Sequence, residues 1–132
     1  MWTEFVNGYS PENNARPEFD RDRARALLAE AGYPNGFGVT LDCPNGSYEQ
    51  VCVALAGMVA QVGIRMNVNL QPGGVVFPRI VRADVSMFAL SWGVPTFDAM
   101  YTLRGIIMTR EKIGAASWNG GQYSNPRVDT LI

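Results

Sequence analysis

The sequence contains no histidine. That removes the usual general base near neutral pH, the commonest metal-ligating ring, and the usual partner of a nucleophilic serine or cysteine. Cysteine is scarce as well. Cys43 and Cys52 are the only two, too few for a four-ligand zinc site. Lysine occurs once, at Lys112, so arginine supplies the remaining basic residues. Neither sign of charge is in surplus. The formal net charge is −1, which favours neither nucleic acid nor an anionic membrane surface as a partner. No apolar run is long enough to span a bilayer. Residues 1–20 carry charges and lack the apolar stretch of a secretory signal, so an exported parent protein is expected to carry that signal upstream. No G-x-S-x-G elbow and no phosphate-cradling glycine loop occurs.

What is present suits a globular chain. The 132 residues are 47% hydrophobic and 17% charged, with 14 glycines and 8 prolines. That is enough for one α/β or α+β domain with a real core. Residues 1–19 are polar and irregular, and read as a surface arm. A helix is expected over about 21–31. Asp20 is its N-cap, Ala24, Leu27, Leu28 and Ala31 form its apolar positions, and Gly32 and Pro34 stop it. A strand follows at 37–43, with Phe37, Val39, Leu41 and Cys43 on one face.

Ser47 and Gln50 form an S-x-x-Q capping box for a helix carrying Val51, Leu55, Met58, Val59 and Val62 as a core stripe. That stripe places Cys52 beside it rather than facing the preceding strand, so the two cysteines are expected as buried thiols without a disulfide. Residues 64–71 alternate strictly, with Ile64, Met66, Val68 and Leu70 inward. A short helix over about 75–83 tolerates Pro78 only in its first turn. The apolar run 85–92 reads as a strand covered on both sides. A helix from Phe97 to about Met108, a loop over 109–124, and a helix opened by Asn125 and Pro126 complete the chain. Strand–helix–strand alternation predicts an α/β fold with parallel pairing. The last helix stops in its second turn, which points to a chain cut from a longer protein.

Four segments carry a family likeness in this order: "RARALLAEAGYPNGF" (23–37), "GMVAQVGIRMNVNL" (57–70), "FALSWGVPTFDA" (88–99) and "YSNPRVDTLI" (123–132). Together they resemble the second lobe of bacterial periplasmic solute-binding proteins of family 5, the dipeptide and oligopeptide class that feeds ABC importers. The resemblance implies a periplasmic-binding-protein-like fold of two α/β lobes closing on a ligand. Residues 20–132 would be part of one lobe and 1–19 an irregular arm. It implies a peptide or related small solute as ligand, a membrane permease and the other lobe as partners, no cofactor, and a periplasmic location.

In open α/β sheets, ligands bind beyond the carboxyl ends of strands. Trp92 ends a predicted central strand, and in the resembled family this strand end and its loop contribute to the pocket. Trp92, Gly93, Pro95, Asp98 and Trp118 are therefore the candidate ligand-binding residues. Trp92 would supply an aromatic wall, Gly93 close backbone approach, and Pro95 a fixed loop exit. Asp98 would bind a ligand amine or charge the first turn of the following helix, with Thr96 as N-cap. Trp118, in "SWNGG", would cover the core or rim the pocket.

Many peptide-binding members of the family carry an acidic residue about three positions after this tryptophan. Here Pro95 stands there, which leaves a modified peptide, an opine, a sugar or another amine open beside a dipeptide. Tyr101 and Arg104 share a helical face, as do Arg79 and Arg82. Arg104 would face solvent or take a ligand carboxylate. The Arg79/Arg82 face would be solvated or touch the permease. An enzyme and a small interaction module are the competing readings. Against the first stands the lack of a histidine to activate Cys43. Against the second stands the interrupted last helix. A lobe separated from its neighbour also exposes apolar surface, so self-association is expected.

Overall fold

In the computed structural model, which describes residues 3–111 and 116–132, Asp20 caps the first helix. Its Oδ1 accepts from Arg23 N at 2.8 Å. Helix α1 (Arg21–Glu30) ends where Gly32 takes φ +90° and Tyr33 N reaches back to Leu28 O at 2.8 Å. Strand β1 (Gly38–Pro44), helix α2 (Glu49–Ala60), strand β2 (Arg65–Gln71), helix α3 (Gly73–Val81) and strand β3 (Met87–Phe88) follow. The three strands form one parallel sheet in the order β2-β1-β3. This is the α/β architecture with parallel pairing that the alternation predicts. Glu18–Arg79 and Val85–Leu90 form one compact unit; Met1–Pro17, Ile80–Asp84 and Ser91–Ile132 form another.

In the unit that holds the sheet, alternation along β1 sorts the side chains. Leu41 and Cys43 are fully buried on one face, with Cys52 of α2 against them and Leu55, Met66, Val68 and Met87 packed around. Each large apolar side chain buried this way contributes about 1.5–3 kcal/mol. Asp42 points to the other face and is also buried. Its Oδ1 accepts from Asn69 Nδ2 at 2.8 Å and from Arg79 Nη1 at 2.5 Å. A buried carboxylate thus has its counter-charge and its donors. Gly36 and Gly63, both at positive φ, meet where the chain enters β1 and β2. A Cβ on Gly36 would lie 1.8 Å from Gly63 O, so that position admits no side chain, whereas Gly63 has room for one and is held to glycine by its φ of +96°.

Several expectations need correction. Cys43 and Cys52 form a disulfide, with Cα atoms 6.6 Å apart. The reason is the rotation of α2. Its inward side is Cys52, Leu55, Ala56 and Val59, whereas Val51 and Met58 of the predicted stripe are 66% and 64% exposed. Cys52 therefore faces Cys43. The Ser47–Gln50 capping box does not form. The helix starts at Glu49 with Tyr48 as its uncapped N-cap, because the turn before it is held by Asn45 N on Gln71 O and Glu49 N on Gly46 O.

Helix α3 begins at Gly73, so Pro78 sits inside it rather than in its first turn. Arg79 is not on a solvated face but pairs with Asp42, while Arg82 is exposed and pairs with Asp84 at 2.8 Å. Leu27 and Leu70 are exposed rather than inward. The strand expected over 85–92 shrinks to Met87–Phe88, an edge strand paired on one side only. The central strand is β1, and Trp92 lies beyond the end of β3 rather than on it.

Candidate functional site

The second unit contains helix α4 (Ala99–Thr102), which widens into a π-helical turn (Leu103–Ile107), and helix α5 (Pro126–Leu131). Helix α4 starts two residues later than the sequence suggests. Phe97 takes a left-handed φ of 52°, which no helix start accommodates. Asp98, not Thr96, is the N-cap. Its Oδ1 accepts from Met100 N at 2.8 Å, and its Oδ2 accepts from Asn7 Nδ2 at 3.0 Å. Asn7 also bonds through its backbone, donating to Phe97 O and accepting from Ala99 N. The Met100 amide first, and the Asn7 side chain second, hold the Asp98 carboxyl below its ordinary value against the opposing effect of desolvation.

The π turn is where the aromatic residues gather. Met108 N bonds to Leu103 O, so the carbonyls of Arg104 and Gly105 are released from the ordinary helical ladder. Loop amides take them: Ala116 N donates to Arg104 O at 2.7 Å, and Trp118 N to Gly105 O at 3.2 Å. The Trp92 ring lies on the bare backbone of Gly105. A Cβ there would come within 2.8 Å of its Cζ2. Tyr101 packs against the same indole at a centroid distance of 5.5 Å, and Trp118 meets it edge-on at 6.3 Å. Trp92 is half-buried, and its Nε1 is buried without a hydrogen-bond partner. Asn119 pins the loop behind. Its amide donates to Met108 O and Tyr123 O, and its Oδ1 accepts from Tyr123 N.

Beside this cluster lies a cavity of about 680 Å³. Tyr101, Met100 and Met108 give it apolar walls, and Asp98, Arg104 and Glu111 bring both signs of charge. Its size is that of a small-molecule site. Asp98 is occupied by its own cap. Arg104, by contrast, has no ion-pair partner among the described residues, so its guanidinium fork is open to a carboxylate.

Of the predicted residues, Trp92 and Trp118 are brought together, and Asp98 lines the cavity. Trp92 and Trp118 stand behind the cavity rather than lining it, and Gly93 and Pro95 are exposed and do not line it either. Tyr101 and Arg104, read from their spacing as one face, both do. Sequence reasoning missed Gly105, Met100, Met108 and Glu111. A lone glycine inside an apolar helical run was the available signal for the first; the others carried none. Part of the expected 109–124 loop, residues 112–115, lies outside the described residues.

Residues 1–110 match the family described as bacterial extracellular solute-binding proteins, family 5 middle. The glutathione-binding protein GsiB of Pectobacterium atrosepticum is 33% identical over 124 residues, which cover 85% of this chain and 23% of that protein. Among solved structures, the periplasmic binding protein DppA of Helicobacter pylori in complex with the peptide STSA matches with a TM-score of 0.80. It is 24% identical, over 96% of this chain and 26% of that one. HbpA2 of Haemophilus parasuis matches with a TM-score of 0.83 at 21% identity, over 96% and 25%. At these identities the two structures show the fold alone. The chain spans about a quarter of the length of the relatives it matches.

Proposed function

Because the chain belongs to the bacterial extracellular solute-binding proteins of family 5, we propose that it forms part of one ligand-binding lobe of the solute receptor of an ABC importer. In this reading residues 20–132 belong to that lobe and residues 1–19 are an arm leading into it. The whole protein, in the periplasm or an equivalent compartment outside the cytoplasmic membrane, closes two lobes on a small solute and delivers it to a membrane permease. It binds without chemistry.

The observation that carries this reading is the Trp92–Tyr101–Trp118 cluster beside a cavity with an open guanidinium. Aromatic walls supply apolar contact without demanding one hydrogen-bond pattern, and a few charged groups fix orientation. Arg104 would take a carboxylate of the solute. Tyr101 would form the aromatic wall, with Trp92 and Trp118 packed behind it, Gly93 and Pro95 shaping the loop and Asp98 contributing negative potential at the rim. A peptide-sized compound bearing a carboxylate fits this set. The relative named for glutathione and the neighbour crystallised with a peptide support that class.

The test is calorimetric titration of the full-length protein that contains this chain with glutathione, short peptides and opine-type amino-acid conjugates. Saturable binding of one class, weakened in an Arg104→Met variant and with the solute recovered unchanged, is the expected result. No heat from any class, or conversion of the added compound, would overturn the reading.

A further inference from the structure

Four asparagine–glycine pairs occur in the chain: Asn7–Gly8, Asn35–Gly36, Asn45–Gly46 and Asn119–Gly120. The dipeptide favours an internal reaction. Glycine has no side chain to shield its amide nitrogen, so that nitrogen can reach the Cγ of the asparagine before it. Two conditions decide whether it does. The asparagine side chain must be free to turn, and the glycine N–H must not be held by an acceptor that keeps its proton in place.

The fold separates the four pairs. Asn119 is 3% exposed, its side-chain amide donates to Met108 O and Tyr123 O, and Gly120 N donates to Trp118 O at 2.8 Å. Asn35 is exposed, but Gly36 N donates to Tyr33 O at 2.9 Å. Asn7 donates from Nδ2 to the Asp98 carboxylate at 3.0 Å, and its backbone donates to Phe97 O and accepts from Ala99 N. Gly8 is crowded as well, since a Cβ there would lie 2.9 Å from Ala99 Cβ. Asn45–Gly46 carries none of these restraints. Both residues are exposed, and neither the Asn45 side chain nor the Gly46 N–H has a hydrogen-bond partner among the described residues. A Cβ on Gly46 would meet nothing within 4 Å. The bonds that hold this turn run from Asn45 N to Gln71 O and from Glu49 N to Gly46 O, and leave both reacting groups out.

We propose that Asn45 is a self-modification site, whose side-chain amide is lost to attack by the neighbouring Gly46 nitrogen ahead of the other three pairs. Gly46 N bonds to Asn45 Cγ, the Cγ–Nδ2 bond breaks, and the Gly46 amide proton leaves with the departing nitrogen as ammonia. Water then opens the cyclic imide. Cleavage at Cγ leaves aspartate at position 45. Cleavage at the backbone carbonyl leaves isoaspartate, with the main chain routed through Cβ and Cγ. No oxidant or reductant takes part. Either product turns an amide into a carboxylate on a chain of formal net charge −1. The isoaspartate product also lengthens the main chain inside the loop that the Cys43–Cys52 disulfide closes, just beyond the carboxyl end of the central strand.

The test ages the full-length protein that contains this chain at mildly alkaline pH, with and without urea. Peptide mapping by mass spectrometry follows ammonia loss and isoaspartate at each pair. A hydrogen bond that must break first slows a step about fivefold, so in the folded protein Asn45 is expected to lead Asn35 by at least that factor and Asn119 by more. In urea, where those bonds are gone, the gap closes. Gly46→Ala, which places a methyl beside the attacking nitrogen, is expected to remove the lead. Another pair converting first in the folded protein, or a gap undiminished by urea, would overturn the proposal. A lead that persists in Gly46→Ala would overturn the assignment of Gly46 N as the attacking atom.

Discussion

Replacing Gly105 with alanine sets two opposed effects on one atom. In a helix interior the change gains up to about 1 kcal/mol from lower backbone entropy in the unfolded chain. Here the new methyl would stand 2.8 Å from Trp92 Cζ2 and 3.1 Å from Cη2. Overpacking of that kind costs about 1–3 kcal/mol, so Gly105→Ala is expected to lose about 0–2 kcal/mol rather than gain. The decisive measurement is the cycle with Trp92→Phe, which removes the six-membered ring atoms that meet the methyl. The phenylalanine change alone costs about 1–2 kcal/mol, below the roughly 3–5 of full truncation. On that background Gly105→Ala should recover its helix-propensity gain, giving a coupling equal to the overpacking cost removed, about 1–3 kcal/mol. Urea unfolding followed by far-UV circular dichroism keeps the readout independent of the indole. Equal stabilisation of about 1 kcal/mol in both backgrounds would show that Trp92 does not rest on the π turn.

Three further outcomes follow from geometry described above. Replacing Cys43 and Cys52 together with alanine should lower stability by about 2–3 kcal/mol, as expected for a loop of this length; urea midpoints with and without reductant check it, and coincident curves would refute it. Asp42→Asn removes the buried carboxylate that Arg79 pairs with and should cost about 2–4 kcal/mol, toward the low side of the buried-pair range because the guanidinium keeps some water. The Asp42→Asn/Arg79→Met double variant should recover part of that in the same melts. The Asp98 carboxyl is held below its ordinary value of 3.8, so its folded form binds a proton less readily than its unfolded form. Its contribution is complete above about pH 3.8 and is lost as pH falls through the lower folded value. Asp98→Asn should flatten the stability profile in that window and leave its slope near neutrality unchanged.

The elements read correctly from sequence are those decided by local chemistry. Asp20 and Asn125 cap their helices as their side chains require, Gly32 ends α1, and the alternation of Leu41 and Cys43 fixes the face of β1. Helix α2 defeats the same approach because beyond its first turn, which carries Glu49 and Gln50, apolar residues fall on more than one of its sides. A stripe of Val51, Leu55 and Met58 is as regular as the stripe of Cys52, Leu55 and Val59 that the sheet selects, and only tertiary contact chooses between them. That single rotation also decided the cysteine pairing. The apolar run at 85–92 says that a segment avoids water, not how many strands pair with it. At the site, the Tyr101–Arg104 face is visible from i,i+3 spacing. The meeting of Trp92, Gly105 and Trp118 is not, because it depends on a helix widening by one residue and on carbonyls captured by a distant loop.

The disulfide between Cys43 and Cys52 uses every sulfhydryl the chain possesses. This chain, once folded, therefore offers no free thiol to a maleimide. One cysteine introduced at an exposed position such as Gly93 would be the sole reactive handle for a fluorophore or spin label. A probe placed there reports on the Trp92 loop without first engineering the native cysteines away, provided that labelling is done without reductant.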